Sequence, residues 1–431
     1  MSDKRQISIN VPVLTRVEGE GALELKISNN RIEQLHLKIY EPPRYFEKLL
    51  QQRSYQDVPD MVARICGICP VAYQMSAVQA LEQAFSFTAD PVTTQLRRLL
   101  YCGEWIQSHS LHIHLLAAPD FLGYDSAMSM SQQHPELVHR GLALQNAGNE
   151  IIRLLGARSV HPVGVSVGSF HTTPSNQKTK NLLLLLKQQL DNSYHLIEWC
   201  AALSLPDNSH PVDCVALVNT DEYPMYSGRI QSSSGLDISA DEFELHFKEH
   251  QVAHSTALHA LFNGKPYLVG PLARLNLNMQ RIPDHITQLL LNTGISLPSF
   301  NMFHSMLARA VEIYIALNDA IHILEDYSQP SKKPEPLIPK AGTGYGCTEA
   351  PRGILWHKYT TDSNGLIKQA VIVPPTSQNQ ARIEQDLRFS LDQHGLDRDE
   401  DELRKYSETL IRNYDPCISC ATHFLTLKLD R

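Results

Sequence analysis

The chain lacks any apolar run near the ~18 residues that a membrane-spanning helix requires. Its longest leucine stretch, 182–186, is closed by Lys187. Residues 1–10 hold neither the apolar segment of a signal peptide nor a twin arginine, so the expected address is the cytoplasm. Positive charge is not in excess. Lys and Arg number 38 against 46 Asp and Glu, a net charge of −8, which excludes the basic face of a nucleic-acid binder. No Gly-x-Gly-x-x-Gly run marks a dinucleotide site, and there is no internal repeat or low-complexity tract. Eight cysteines in 431 residues are too few for a disulfide-built scaffold. In a reducing compartment their even number does not imply bridges.

What is present is an ordinary globular composition, 42% hydrophobic and 19% charged, with enough apolar material for a large core. Length alone suggests two or three domains. Leu23, Leu25 and Ile27, then Leu35, Leu37 and Ile39, alternate on either side of Asn29-Asn30, the pattern of a β-hairpin. Helical patterns follow over 71–85, 91–118, 136–157, 176–204 and 299–326. In the last of these Phe303, Met306, Leu307, Ala310, Ile313, Leu317, Ile321 and Leu324 recur at three- and four-residue steps. Residues 210–280 give no single period. Four prolines over 328–340 mark a loop or crossover. A second hairpin is expected over 353–360 and 366–373 about Asn364-Gly365, then helices over 380–395 and 399–412. The fold class is therefore mainly α with small β pieces.

Two motifs carry the chemistry: Cys66-Gly67-Ile68-Cys69 and Cys417-Ile418-Ser419-Cys420. A three-residue step lets two sulfurs of one turn point the same way. Two such pairs brought together place four thiolates around one centre, a donor set for zinc, nickel or iron. A structural zinc site normally has its pairs about 15–20 residues apart. Here they stand at opposite ends of the chain. A thioredoxin-like redox pair would need a βαβ context, which is missing.

The residues around these pairs extend the pattern. They are Arg16-Val17-Glu18-Gly19-Glu20, Arg44-Tyr45-Phe46-Glu47, Arg64-Ile65-Cys66-Gly67-Ile68-Cys69-Pro70, Glu349-Ala350-Pro351-Arg352-Gly353 and Asp415-Pro416-Cys417-Ile418-Ser419-Cys420-Ala421-Thr422-His423. With these five blocks in order, the chain resembles the large subunit of [NiFe] hydrogenases nearly end to end. Its short length, Val11-Pro12-Val13-Leu14, and Pro70 directly after Cys69 are most similar to the cytosolic, bidirectional NAD(P)-linked enzymes, especially the sulfhydrogenase type.

The resemblance implies a set of roles. Cys66 and Cys417 match the terminal nickel thiolates, and Cys69 and Cys420 match the thiolates bridging nickel to an iron that carries CO and two CN ligands. Glu18 matches the proton-transfer glutamate, although Glu20 and Glu24 nearby look equally like hairpin surface acids. Arg352 matches the guanidinium over the open metal position, Pro351 and Thr376 the rest of the cyanide pocket, and Asp415 an acid beside the metals. Glu47, the Ile372 carbonyl and His423 match the ligands of a buried Mg²⁺. The implied activity is reversible cleavage of H₂ to protons and electrons. The implied partners are an iron–sulfur small subunit and NAD(P)- and flavin-binding diaphorase subunits, with a maturation protease and nickel chaperones during assembly.

Two positions depart from many relatives. Ser108 stands where an Asp is found, and Tyr73 where a His is found. Neither replacement is an acid or base at neutral pH, so oxygen response or catalytic bias is expected to differ. Residues 424–431 match the position of an extension that many relatives lose on maturation, or, given their brevity, are a retained end. His109 and His112, inside the long helix, are expected as core or surface histidines. Cys102, Cys200, Cys214 and Cys347 stand alone and read as small buried apolar groups. The chain thus has no cluster motif of its own for passing electrons on. A single unit over 1–431 is expected, because both ends would meet at one centre. The alternatives are a Cys₄ zinc-stapled scaffold without enzymatic activity and a metal-free relative like the quinone-site subunit of respiratory complex I. The four paired cysteines argue against the second.

Overall fold

A computed structural model describes residues 6–330 and 337–422. It is mainly helical with small antiparallel sheets, as the sequence patterns predict. The N-terminal hairpin is there, Gly21–Ser28 paired with Arg31–Ile39, with Leu25 opposite Leu35 and Leu23 opposite Leu37. Asn29 and Asn30 turn it at φ 50° and 58°, the left-handed pair that a two-residue hairpin loop needs. A third strand, Gln6–Val11, joins the outer edge of Gly21–Ser28. Its alternating Ile7, Ile9 and Val11 were not read as a strand. Together these strands and the C-terminal helices Pro375–His394 and Glu400–Tyr414 enclose one apolar cluster.

The second hairpin is likewise the larger part of a three-stranded sheet, Gly342–Ala350, Gly353–Thr361 and Ile367–Val373. Its first strand is glycine-rich and escapes a pattern search. The glycines are there for contact, since a Cβ at Gly346 would lie 2.1 Å from the Ser76 carbonyl oxygen. The strand therefore runs directly against the helix Pro70–Phe85. Gln79 and Gln83 of that helix accept its Cys347 and Tyr345 N–H groups at 2.7 and 2.5 Å.

The largest apolar cluster is built by Pro70–Phe85, Pro91–Leu111, Pro135–Gly156 and Ser305–Asp326, and the four paired cysteines lie within it. The predicted helix over 91–118 changes character. Its end widens into a π-helix, His112–Ala117, just before Pro119, which has no N–H to continue an α-helical ladder. The stretch 176–204 is two helices, Asn176–Lys187 and Leu190–Ala201, broken at Gln188-Gln189 without a glycine or proline. Tertiary packing decides that break: Leu182 and Leu186 on one segment and Leu196 and Ile197 on the other all reach the core. The helix predicted from 299 begins at Ser305, after a single tight turn over Met302–His304. Residues 210–280 hold the small sheets Val215–Val218, Arg229–Ser232, Asp237–Ile238 and Phe247–His250, His259–Phe262. Among the described residues no helix is long and apolar enough to cross a membrane.

Candidate metal centre

The first cysteine pair straddles a helix start. Cys69 precedes Pro70, the first residue of Pro70–Phe85, and proline is tolerated there because first-turn N–H groups lack partners. Cys66 Sγ accepts the N–H groups of Ile68 and Cys69 at 3.3 and 3.2 Å, which suit a thiolate. The Val71 and Ala72 N–H groups are taken by Glu104 from the next helix, at 2.6 and 3.0 Å. The second pair follows Asp415, which ends Glu400–Tyr414 at φ +56°. The Cys417 N–H donates to the Thr376 hydroxyl at 3.1 Å.

Arg44 ties the two loops together. Its guanidinium donates to the Ile65 carbonyl at 2.7 Å and to the Ser419 carbonyl in a very short contact. The four sulfurs are buried and all within 4.8 Å of one another. Cys66 and Cys417 are 3.4 Å apart, Cys69 and Cys420 3.7 Å, and Cys417 and Cys420 2.8 Å. Burial, reinforced by the sulfurs of Cys420, Cys66 and Cys69, pushes the Cys417 thiol well above its ordinary value. Four thiolates this close and this dry need a cation among them. The donor set fits soft and borderline metals such as nickel and iron.

The N-terminal block lies alongside. Glu18 Oε2 is 3.1 Å from Cys417 Sγ and accepts the Ser419 N–H at 3.1 Å, while the Glu18 carbonyl accepts the Ile418 N–H at 3.0 Å. The approach is possible because Gly19, at φ +90°, has no Cβ. One there would lie 2.7 Å from Ile418 Cβ. Glu18 is half-buried, between the sulfurs and the surface. Its neighbours differ: Glu20 is exposed, and Glu24 is paired with Lys38 at 2.7 Å on the sheet. Arg16 fixes this segment, bonding Asp120, which also receives Arg412 at 2.7 and 2.9 Å.

On the other side Arg352 Nε and Nη2 donate to the Asp415 carbonyl and carboxylate at 2.5 and 2.9 Å. Burial works against the Arg352 charge, but Asp415 and then the thiols of Cys417, Cys69 and Cys66 outweigh it and hold the guanidinium cationic. Burial would likewise raise Asp415, and Arg352, His112 and Arg309 overcome it, so Asp415 stays below the usual carboxylate range. Among the described residues, Arg352 Nη1 and Asp415 Oδ2 are buried with no hydrogen-bond partner. Buried polar atoms left this way in native proteins commonly face a bound group.

A larger network behind Arg352 has no sequence signature. Arg274 grips Glu312 through Nε and Nη2 at 2.7 and 2.8 Å and Glu349 through Nη1 at 2.8 Å. It also donates to the Ala350 and Pro351 carbonyls at 2.8 and 2.9 Å. All three side chains are fully buried. Burial would raise Glu312, yet Arg274 and His109 bring it down to about 2, whereas burial holds Glu349 up at about 7. His109 Nε2 lies 2.9 Å from Glu312. Arg274 thereby holds the turn that presents Pro351 and Arg352. Arg274 stands in a short helix, Pro271–Leu277, within the stretch 210–280 where the sequence gives no single period.

The remaining sites sort as follows. Glu47 is buried and its Oε1 accepts the Ile372 N–H at 2.8 Å, which brings two of the three expected Mg²⁺ ligand residues together. His423 and residues 424–431 lie outside the described residues. Tyr73 is buried, and burial followed by the charge of Cys420 and Cys69 raises its phenol well above the ordinary value. Ser108 is buried and its Oγ finds no partner among the described residues. His109 and His112 are both core histidines, and His112 Nε2 meets the Arg412 carbonyl at 2.8 Å. Cys102, Cys200, Cys214 and Cys347 are buried outside the four-sulfur cluster, with their thiols raised by burial.

Comparison with known proteins agrees with this geometry. The model of the nickel-dependent hydrogenase family matches residues 44–147 and 203–423. The chain is 31% identical over 425 residues to the sulfhydrogenase 1 subunit alpha of Pyrococcus furiosus, covering 98% of this chain and 99% of that one. It is 27% identical to the NAD-reducing hydrogenase HoxS subunit beta of Cupriavidus necator, covering 96% and 94%. Its fold matches the crystal structure of an NAD⁺-reducing [NiFe]-hydrogenase in the H₂-reduced state with a TM-score of 0.83 at 24% identity, over 97% of this chain and 99% of that chain. Neither the zinc-stapled scaffold nor the metal-free relative is favoured by these matches. Converging cysteine pairs and a family match over most of the length lead to one conclusion: the chain belongs to the nickel-dependent hydrogenases and is the large catalytic subunit of a [NiFe] enzyme acting on H₂.

Proposed function

We propose that Cys66, Cys69, Cys417 and Cys420 hold the nickel–iron centre, with Cys66 and Cys417 terminal and Cys69 and Cys420 bridging, and that Glu18 carries the proton away. When bound, the centre supplies the electrophile that polarises H₂ and takes up its electron pair. The single observation that carries the reading is the Glu18 carboxylate 3.1 Å from Cys417 Sγ at the edge of the four-sulfur cluster. Glu18 Oε2 receives a proton from the Cys417 sulfur and passes it outward, because it is the half-buried group between sulfur and surface. Arg352, held charged by Asp415 and the cysteine sulfurs, would keep a fixed positive charge beside the centre. Its Nη1, without a hydrogen-bond partner among the described residues, would receive a ligand of the iron, with Pro351 and Thr376 lining the same pocket. Each turnover releases two protons and two electrons per H₂.

The electrons leave through an iron–sulfur small subunit to NAD(P)- and flavin-binding diaphorase subunits, in a hetero-oligomer of the cytoplasm. The names of the sulfhydrogenase and NAD-reducing relatives support this reading, and so does the lack of any further paired-cysteine motif in this chain. Glu47, the Ile372 carbonyl and His423 would hold Mg²⁺. The Glu47 neighbourhood supports a cation there: burial pushes nearby Glu249 up to about 8, and Glu47 adds to that rise, a surplus of acid that a hard cation relieves. Residues 1–431 form one unit whose tail, 424–431, is removed once nickel is in place. Elemental analysis and infrared spectroscopy of the purified enzyme test the centre. Nickel and iron in about equal amounts, with CO and CN bands, are expected. Zinc alone would overturn the assignment. Intact-mass measurement of active enzyme tests the tail, and a retained Arg431 would rule out its removal.

A further inference from the structure

A second cluster of metal-ligating side chains lies away from the sulfurs, where the N-terminal sheet meets the loop 251–258 and the helix Pro375–His394. His254 comes from that loop, His259 opens the strand His259–Phe262, and Glu384 comes from the helix. One ring nitrogen of each histidine and one carboxylate oxygen of Glu384 lie within 4.8 Å of one another. His254 Nε2 is 2.7 Å from Glu384 Oε1, and the same oxygen accepts the Leu37 N–H at 2.9 Å. His36 stacks flat on His254, with ring centroids 4.1 Å apart and planes 4° apart, which fixes the plane of that imidazole. His250 stands edge-on to His259 at 5.8 Å.

A plain His–Glu ion pair explains His254 and Glu384 but not His259. His259 is 2% exposed, and its buried Nε2 has no hydrogen-bond partner among the described residues. Buried imidazole nitrogens in proteins are paired or ligate.

We infer that His254, His259 and Glu384 form a second metal site, for a divalent cation of the zinc class. Two imidazoles and one carboxylate are borderline-to-hard donors. They match zinc rather than the thiolate-seeking metals of the four-cysteine centre or the all-oxygen preference of Mg²⁺. Zinc at about 2.0–2.1 Å from nitrogen and oxygen draws donors to roughly 3.4 Å apart. The loop-borne His254 and the long Glu384 side chain can close that difference. On binding, the cation takes the place of the hydrogen bond between His254 Nε2 and Glu384 Oε1. Glu384 and His254 are 17% and 18% exposed, so water can complete the coordination. The bound ion would clasp the loop 251–258 to Pro375–His394, the helix whose Thr376 receives the Cys417 N–H.

The test uses the purified holoenzyme, exposed to a mild chelator, reloaded with Zn²⁺ alone and desalted, with zinc, nickel and iron measured together. One tightly held zinc per chain beyond the nickel and iron is expected in wild type. It should be lost to background in His259→Ala and in Glu384→Gln, with nickel content and H₂ turnover unchanged. The inference is overturned if wild type retains no zinc, or if both variants retain as much as wild type. Reading nickel alongside separates this site from zinc misplaced among the cysteines, which would appear as zinc gained against nickel lost. If His259→Ala does not fold, Glu384→Gln, which keeps size and hydrogen bonding, decides the matter by the same readout.

Discussion

At the scale of single residues, position in space separates groups that look alike in sequence. Glu18, Glu20 and Glu24 are three acids on one short stretch, but only Glu18 is recorded in contact with a cysteine sulfur. Glu18→Gln keeps the Ser419 N–H acceptor while abolishing the ionisable oxygen. H₂ oxidation and H/D exchange are expected to fall at least about 100-fold, with nickel and iron retained. Wild-type exchange rates in that variant would remove Glu18 from the proton path. Thr376→Val removes the acceptor of the buried Cys417 N–H. A loss of about 1–3 kcal/mol is expected in denaturant unfolding, together with disturbed infrared bands of the centre. An unchanged unfolding midpoint would show that the Thr376 hydroxyl contributes nothing there.

At the scale of elements, the short helix Pro271–Leu277 and the long Ser305–Asp326 act through one charge network. Arg274 neutralises Glu312 and Glu349 and holds the carbonyls of Ala350 and Pro351. Arg274→Met leaves two buried carboxylates without their cation, and removing one partner of a buried pair costs about 3–5 kcal/mol. The variant should unfold at markedly lower denaturant, and the bands of the iron ligands should shift because the turn carrying Arg352 is released. Little change in either would mean that the strand Gly342–Ala350 alone positions that turn. The same elements show the reach of sequence patterns. The Pro70–Phe85 and Glu400–Tyr414 helices were legible from composition and start signals. The Gly342–Ala350 strand was not, because its glycines answer to the helix beside it rather than to a period of their own. The break between Asn176–Lys187 and Leu190–Ala201 was missed for a related reason: no local breaker causes it.

At the scale of the whole molecule, neutral histidines in the core set the acid limit of stability. His109 is lowered to about 4, and His112 and His114 to about 3, each first by burial. Their folded values lie below the unfolded value of 6.5, so the unfolded chain takes up their protons first. Their stabilisation is complete above pH 6.5 and is lost as pH falls toward 4. By pH 5 each has given up roughly 2 kcal/mol. Glu349 works the other way. Its folded value of about 7 exceeds the unfolded 4.5, so its contribution is present below pH 4.5 and lost as pH rises to 7. With His259, lowered to about 3, four histidines outweigh Glu349 and Glu249, which is raised to about 8, and the denaturation midpoint should fall from pH 6.5 to 5. A flat profile over that range would mean that these histidines are already charged in the fold.

The sequence by itself determined the donor pairs, because Cys66 with Cys69 and Cys417 with Cys420 are local three-residue steps. It also determined most helices, whose periods and proline starts are local as well. Together with the flanking blocks, those pairs were enough to point to the family. Only the tertiary structure decided that the sulfurs of Cys66 and Cys417 meet at 3.4 Å, that Glu18 rather than Glu20 reaches them, and that Arg274 braces Arg352. It alone gathered His254, His259 and Glu384. The physical reason is that a site of this kind is made by contacts between residues hundreds of positions apart. Their approach depends on glycine at Gly19, on burial and on the packing of whole elements, none of which leaves a period in the chain.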